Sequence, residues 1–188
     1  MCSAVWASRR EYGLNEQRTA VIVMGVTGTG KTTIGTRVAG RLGWRFEEGD
    51  SLHPPENIAK MSSGHALTDD DRWPWLRKIG TWIDDEERAG HSVVVSCSAL
   101  KRSYRDLLRD GRSGVLFLHL NGTKEQIAAR LAQRHGHFMP PSLLDSQLAD
   151  LQPLQPDEAG VAVSIEGDPD DIATAAVAAL RRLMPTTR

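Results

Sequence analysis

The chain has 188 residues, of which 40% are hydrophobic and 25% charged, and its formal net charge is −1. This length suits a single domain with a substantial core. The near-neutral charge provides no basic field for nucleic acid or an anionic membrane surface, and no apolar run approaches the roughly 20 residues of a membrane span. Two cysteines, Cys2 and Cys97, cannot form a disulfide framework. We therefore expect a cytoplasmic protein that binds neither nucleic acid nor a membrane.

The first 18 residues show no clear periodicity and precede the first predicted core strand. Arg9 and Arg10 are followed by polar residues, which does not fit a signal peptide. We interpret residues 1–18 as a flexible N-terminal extension and residues 19–188 as one domain.

A phosphate-binding loop dominates the start of that domain. The apolar run 20–24 predicts a buried strand, and residues 25–32 read GVTGTGKT, which fits G-x-x-x-x-G-K-[ST] at every defined position. Glycines let the backbone approach a polyphosphate, and successive N–H groups with the following helix N-terminus hold the anion. Lys31 is expected to reach the β and γ phosphates, and Thr32 to offer its hydroxyl to Mg²⁺. The predicted nucleotide contacts are Gly25, Val26, Thr27, Gly28, Thr29, Gly30, Lys31, Thr32 and Thr33.

Acidic residues follow the second predicted strand, residues 44–48. Asp50 comes just past its end, at the edge where open α/β sheets place ligand groups, although an Asp there also caps turns. The third predicted strand, residues 92–96, lacks the terminal acid with which many phosphate-loop proteins hold Mg²⁺. Glu48 and Asp50 are therefore the nearest carboxylates, and we predict Thr32 and Glu48 as metal ligands.

The next predicted helices carry a surplus of cations. Residues 55–61 and a longer segment capped by Thr68 or Asp69 form helices, and Arg72 lies in the longer one. Lys101, Arg102 and Arg105 open another helix, where the helix dipole disfavours positive charge. Such a placement indicates either anion binding or a solvated surface, and both interpretations stay open.

A lid is predicted near residues 130–152. After a fourth strand, residues 115–120, Arg130 and Arg134 are four apart on one helix and precede a Gly/Pro-rich hinge. Two arginines beside a hinge suit a lid that closes on a transferring phosphoryl group. His135 and His137 lack the partners of a metal site, and Cys97 is interpreted as a small buried residue.

Strands alternate with helices to the end of the chain, where a fifth strand, residues 161–165, precedes a helix capped by Asp168. Alternation of this kind predicts an α/β fold with a parallel sheet covered by helices on both faces.

Several motifs together resemble the small phosphate-loop gluconokinases, relatives of shikimate and adenylate kinases. They are the phosphate loop, GDSLHP at 49–54, NIAKMSSG at 57–64, LTDDDR at 67–72, CSALK at 97–101, YRDLLR at 104–109 and GHF at 136–138. The resemblance runs from about residue 21 to 183. It implies a three-layer P-loop kinase fold with five parallel strands and a helical lid, often as a homodimer. The implied reaction is ATP + D-gluconate → ADP + 6-phosphogluconate, which feeds the pentose phosphate pathway.

The resemblance also implies roles for individual residues. Asp50 is placed near the accepting hydroxyl, and the implied catalytic group is Asp50, Lys31 and Arg134. Arg130 and Arg134 match lid positions that contact the nucleotide. The residues implied to face the sugar acid are Asp50, His53, Lys60, Arg72, Lys101, Arg105 and His137, with Arg105 or Arg72 on the carboxylate. Glu48 departs from the family pattern, in which an Asp is common.

Two alternatives remain. Another small-molecule kinase of this fold, acting on shikimate, a nucleoside monophosphate or a different sugar acid, would carry the same phosphate loop. A nucleotide-dependent switch is less compatible, because residues 120–124 read LNGTK and do not fit the N-K-x-D motif of GTPases. The sequence does not decide between ATP and GTP.

Overall fold

The structure is a computed structural model, and it describes residues 18–132 and 141–184. The expectations for the N-terminal extension, Arg134, His135 and His137 lie outside these residues.

Five parallel strands form one sheet in the order β2-β3-β1-β4-β5. The strands are β1 (Ala20–Met24), β2 (Arg45–Glu48), β3 (Val93–Ser96), β4 (Val115–Asn121) and β5 (Gly160–Ser164). β1 pairs with β3 on one side and β4 on the other, so it is central, and each of its residues is buried. Because all strands are parallel, their carboxyl ends meet at one edge, where ligands of open α/β sheets bind.

In the part of the chain that the structure describes, seven helices and one 3₁₀ turn connect and cover these strands. They are α1 (Lys31–Leu42), the 3₁₀ turn (Gly49–Leu52), α2 (Pro55–Ser62), α3 (Asp69–Arg88), α4 (Arg102–Arg109), α5 (Lys124–Ala132), α6 (Pro141–Asp150) and α7 (Pro169–Arg181). The predicted α/β fold with a five-stranded parallel sheet is confirmed. None of the described helices is both long enough and apolar enough to cross a bilayer.

The core has two halves, one on each face of the sheet. Alternate residues of β1 point to opposite faces, so Val21 and Val23 belong to one cluster and Ile22 and Met24 to the other. Helices α1 and α7 contribute to the first cluster, and α3 and α4 to the second. Cys97 lies in the second, where burial raises the pKa of its thiol to about 12, so it is inert as a nucleophile.

A capping box sets where α3 begins. The Thr68 N–H donates to Asp71 Oδ2 at 2.7 Å, and Thr68 Oγ1 accepts from the Asp71 N–H at 3.4 Å. This reciprocal pair starts the helix at Asp69 and so places Arg72 at the end of its first turn, beside the carboxyl edge of the sheet.

Candidate active site

The phosphate loop is folded around a single backbone carbonyl. Val26 O accepts from the Thr29 N–H at 3.4 Å, from Thr29 Oγ1 at 2.9 Å and from Lys31 Nζ at 3.1 Å. Gly28 and Gly30 have φ values of 81° and 91°, which residues with a Cβ rarely adopt. The loop thereby leads directly into α1, and Lys31 occupies the first helical position with Thr32 and an exposed Thr33 behind it.

An oxygen-rich pair adjoins the loop. Thr32 Oγ1 donates to Glu48 Oε2 at 2.5 Å, and Ser96 Oγ donates to the other carboxylate oxygen. Mg²⁺ is usually held by one or two carboxylates together with substrate phosphates and waters. The hydroxyl of Thr32 and the carboxylate of Glu48 fit that donor set. Among the described residues there is no group of three or more His, Cys, Asp or Glu that could hold a metal by itself.

The 3₁₀ turn after β2 is held tightly against the end of β3. The Gly49 N–H donates to Ser96 Oγ at 3.1 Å, and Trp75 Nε1 donates to Gly49 O at 2.7 Å. A Cβ on Gly49 would lie 1.9 Å from Ser96 O, so no side chain fits there. This close approach presents the next residue, Asp50, with a side chain that is 76% exposed.

The ring of His53 lies behind Asp50. It is buried and stacks on Trp75, with ring centroids 4.0 Å apart and planes inclined by 18°. His53 Nε2 is 3.9 Å from Asp50 Oδ1. Burial lowers the pKa of His53, and the positive charges of Arg72 and Lys78 act in the same direction, while Asp50 opposes them. His53 is therefore neutral at pH 7.

These groups converge on one cavity of about 630 Å³. Its walls include Lys31, Asp50, His53, Arg72, Trp75 and Gln147. A cavity of this volume, lined largely by polar and charged residues, suits a small polar substrate. Five of the residues predicted from the sequence thus lie together, namely Thr27, Lys31, Asp50, His53 and Arg72.

Arg72 belongs to a cluster of cations and carboxylates. Its Nη1 donates to Tyr104 Oη at 3.0 Å and lies 3.7 Å from Asp69 Oδ1 and 3.6 Å from Asp150 Oδ2. Lys101 Nζ donates to Asp69 at 2.8 Å and lies 3.7 Å from Asp150 Oδ1. Hydrogen bonds from Lys101 and Tyr104 hold the pKa of Asp69 below its usual value. Of the two cations, Arg72 lines the cavity, whereas Lys101 is not among the described residues that line it.

Lys60 has a different partner. Its Nζ donates to Asp71 Oδ2 at 2.5 Å, linking α2 to the first turn of α3. This bond, with those from Thr68, lowers the pKa of Asp71 to about 2. Lys60 is not among the described residues that line the cavity, although its neighbour Met61 is.

The expectation that Arg105 contacts the substrate is corrected by the structure. Arg105 forms an ion pair with Glu158, Nε to Oε1 at 2.5 Å, in which the two side chains are only 0% and 2% exposed. Its terminal nitrogens donate to Glu158 Oε2 and to four backbone carbonyls, those of Ala99, Leu100, Gln152 and Pro153. Every nitrogen of the guanidinium is thus used inside the protein. Arg105 holds together the segments before α4 and after α6.

Helices α5 and α6 each place a side chain at the phosphate loop. Arg130 donates to Ile165 O, and its other terminal nitrogen lies 3.6 Å from where a Cβ on Gly30 would stand. Gln147, on α6, accepts from the Thr27 N–H at 2.7 Å. Arg130 therefore lies beside the loop, and its contact with the nucleotide stays a prediction. Gln147 is a loop contact that sequence reasoning missed.

Three further residues of the site are not predicted as site residues from the sequence, namely Trp75, His65 and Asn57. Trp75 both packs in the core and lines the cavity. His65 lines the cavity from the loop after α2, and buried Asn57 contacts His53. Asn57 stood within one of the quoted motifs, and that was the signal available for it. His65 and Gln147 carried none.

The chain is similar to known small-molecule kinases in both sequence and structure. The family model described as shikimate kinase matches residues 27–155. The gluconokinase of Gluconobacter oxydans is 53% identical over 150 residues, covering 80% of this chain and 84% of its own. A crystal structure of a gluconokinase from Sinorhizobium meliloti is 47% identical with a TM-score of 0.81, covering 90% and 95% of the two chains. A sugar kinase structure from Janibacter is 48% identical with a TM-score of 0.83, covering 90% and 99%.

Proposed function

The chain belongs to the gluconokinase family, and from this premise we propose that it transfers the γ-phosphoryl group of ATP to the 6-hydroxyl of D-gluconate. The products are ADP and 6-phospho-D-gluconate. The observation that carries the proposal is the shared cavity of Lys31, Asp50 and Arg72. It joins a phosphate-binding group, an exposed carboxylate and an arginine, which are what a phosphate donor, a hydroxyl and a sugar-acid carboxylate require.

Asp50 acts on the accepting hydroxyl. Phosphoryl transfer needs little covalent work from the protein, so positioning and charge neutralisation dominate. The exposed Asp50 carboxylate accepts a hydrogen bond from the 6-hydroxyl and orients its oxygen. As the new O–P bond forms and the bond to the ADP oxygen breaks, the hydroxyl proton passes to Asp50.

Arg72 binds the carboxylate of gluconate. It lines the cavity, whereas Arg105 is saturated by Glu158 and backbone carbonyls. Its ion pairs to Asp69 and Asp150 are 3.7 and 3.6 Å long, longer than a direct charge-assisted hydrogen bond. A planar guanidinium can instead bind the substrate carboxylate with two parallel hydrogen bonds. Lys101, in the same cluster, adds positive charge.

Lys31, the N–H groups of the loop and Arg130 neutralise the phosphates. Arg134 and His137, outside the described residues, are retained from the family resemblance as lid residues of the nucleotide and substrate sites. Thr32 and Glu48 would hold Mg²⁺, which when bound supplies further charge neutralisation to the phosphate oxygens. We further propose a homodimer in the cytoplasm with a lid at residues 130–152, in line with the same resemblance.

The position of phosphorylation tests this function directly. Purified protein is incubated with ATP, Mg²⁺ and D-gluconate, and the product is examined by ³¹P–¹H correlation NMR. We expect coupling from phosphorus to the two C6 protons, and loss of product formation in Asp50→Asn. A phosphoryl group on the hydroxyl oxygen of another carbon would overturn the assignment. Phosphorylation of shikimate without any gluconate product would also overturn it. Shikimate is the second candidate because the matching family model is that of shikimate kinase.

A further inference from the structure

Asn57 is a buried amide whose orientation is determined by a backbone carbonyl. It lies on α2 and is 3% exposed. Its Nδ2 is 2.8 Å from the carbonyl oxygen of Asp71 and 3.3 Å from His53 Nδ1. A carbonyl oxygen can only accept, so the atom facing Asp71 must be the amide nitrogen. Its two hydrogens then serve both neighbours.

The second hydrogen determines the tautomer of His53. Because Asn57 donates to Nδ1, that nitrogen accepts and carries no proton. A neutral imidazole has one N–H, which must therefore be on Nε2. Nε2 is the nitrogen that faces Asp50, 3.9 Å from Oδ1.

The ring has little freedom to present its nitrogens differently. It is buried and stacks on Trp75 at 4.0 Å. Turning it over would put a carbon against Asn57 and leave an amide hydrogen without an acceptor in a buried site, which is unfavourable. Burial lowers the pKa of His53 and so keeps the ring neutral at pH 7. The positive charges of Arg72 and Lys78 act in the same direction, whereas the Asp50 carboxylate opposes them.

We propose that Asn57 is a positioning residue that fixes His53 as an Nε2–H hydrogen-bond donor in the active site. The consequence, which rests on the proposed function, is that His53 and Asp50 have different roles. His53 cannot take the hydroxyl proton at a nitrogen that already carries one, and so the proton moves to Asp50. His53 keeps its own proton and donates to the Asp50 carboxylate or to the accepting oxygen.

The tautomer is measurable without substrate. The full-length protein is labelled with ¹⁵N, and the imidazole nitrogens are recorded by long-range ¹H–¹⁵N correlation. The chain has six histidines, and the signals of His53 are assigned by their loss in His53→Gln. We expect the pattern of the Nε2–H tautomer. An Nδ1–H pattern in the wild-type protein would overturn the proposal.

A substitution at the amide then tests whether Asn57 is the cause. In Asn57→Asp the carboxylate accepts from Nδ1, so we expect His53 to become protonated at Nδ1. The matched control is Glu56→Gln, which changes an exposed neighbour on the same helix and leaves the wild-type pattern. An unchanged pattern in Asn57→Asp, with a normal thermal melt, would show that Asn57 does not fix the ring.

Activity separates the donor role from the base role. Glutamine places an N–H at about the reach of Nε2, so His53→Gln is expected to keep kcat within about tenfold of wild type. Asp50→Asn is expected to lose about 10²- to 10⁴-fold, the usual contribution of a general base. A loss in His53→Gln as large as that in Asp50→Asn would overturn the division of roles. Failure of the proposed function is distinguishable, since it would appear as missing gluconate-dependent turnover in the wild type while the tautomer stayed as inferred.

Discussion

The buried pair Arg105–Glu158 offers a prediction in which structural and substrate-binding roles give opposite results. Replacing Arg105 with Met removes the cation and leaves the carboxylate of Glu158, whose side chain is 2% exposed, without a countercharge. It also removes the donor to four backbone carbonyls. Breaking a buried ion pair by deleting one partner costs about 3–5 kcal/mol.

That loss is large against the whole stability of a domain, about 5–15 kcal/mol. For a chain of this length each kcal/mol shifts Tm by about 2–4 °C, so Arg105→Met should melt about 6–20 °C below wild type. Glu158→Leu should lose a similar amount. The double variant should lose less than the sum of the two, because no uncompensated charge is left. Thermal and urea unfolding followed by circular dichroism measure all four proteins.

The same variant decides what Arg105 does for the substrate. Assayed at a temperature where Arg105→Met is folded, its KM for gluconate should stay within about twofold of wild type, since its guanidinium is used inside the protein. A variant with wild-type stability and a KM raised tenfold or more would refute this reasoning and return Arg105 to the substrate site.

Three other substitutions address separate parts of the site. Arg72→Met should raise the KM for gluconate by about 10- to 150-fold, which corresponds to the loss of about 1.5–3 kcal/mol expected for hydrogen bonds to a charged group. The control is Arg88→Met, on the exposed end of the same helix, which should leave KM unchanged. Equal KM values for the two variants would contradict the role of Arg72. Glu48→Gln should raise the Mg²⁺ concentration needed for half-maximal turnover, and an unaltered Mg²⁺ titration would remove Glu48 from the metal site. Gly49→Ala should lower the free energy of unfolding measured with urea by about 1–3 kcal/mol, because the new Cβ would lie 1.9 Å from Ser96 O. An unchanged urea midpoint would contradict the tight packing of this turn against β3.

The parts of the fold that could be predicted are those encoded locally. The run from β1 through the phosphate loop into α1 is specified within residues 20–33, so its geometry followed from glycine positions and hydrophobic pattern. The capping residues Thr68 and Asp168, and the alternation of strands and helices that indicates a parallel sheet, are similarly accessible from the sequence. The placement of Asp50 at the sheet edge followed from its position directly after β2.

The side-chain partners could not be predicted, because they are distant in sequence. Arg105 looked like a surface or substrate cation, and its partner Glu158 is 53 residues away. Gln147 reaches Thr27 across 120 residues, and no local pattern marks either one. The basic start of α4 is unusual for a helix N-terminus, but only the packed structure shows that one of its cations, Arg105, is neutralised inside the protein.

The most direct test of the central claim is the acceptor dependence of ADP release. A coupled assay with ATP and Mg²⁺ compares D-gluconate with shikimate, AMP and glucuronate, each against a sample without acceptor. The account predicts a large rate with D-gluconate and background rates with the others. Turnover with a different acceptor alone would contradict the substrate assignment, and ADP release that no acceptor accelerates would contradict phosphoryl transfer to a metabolite.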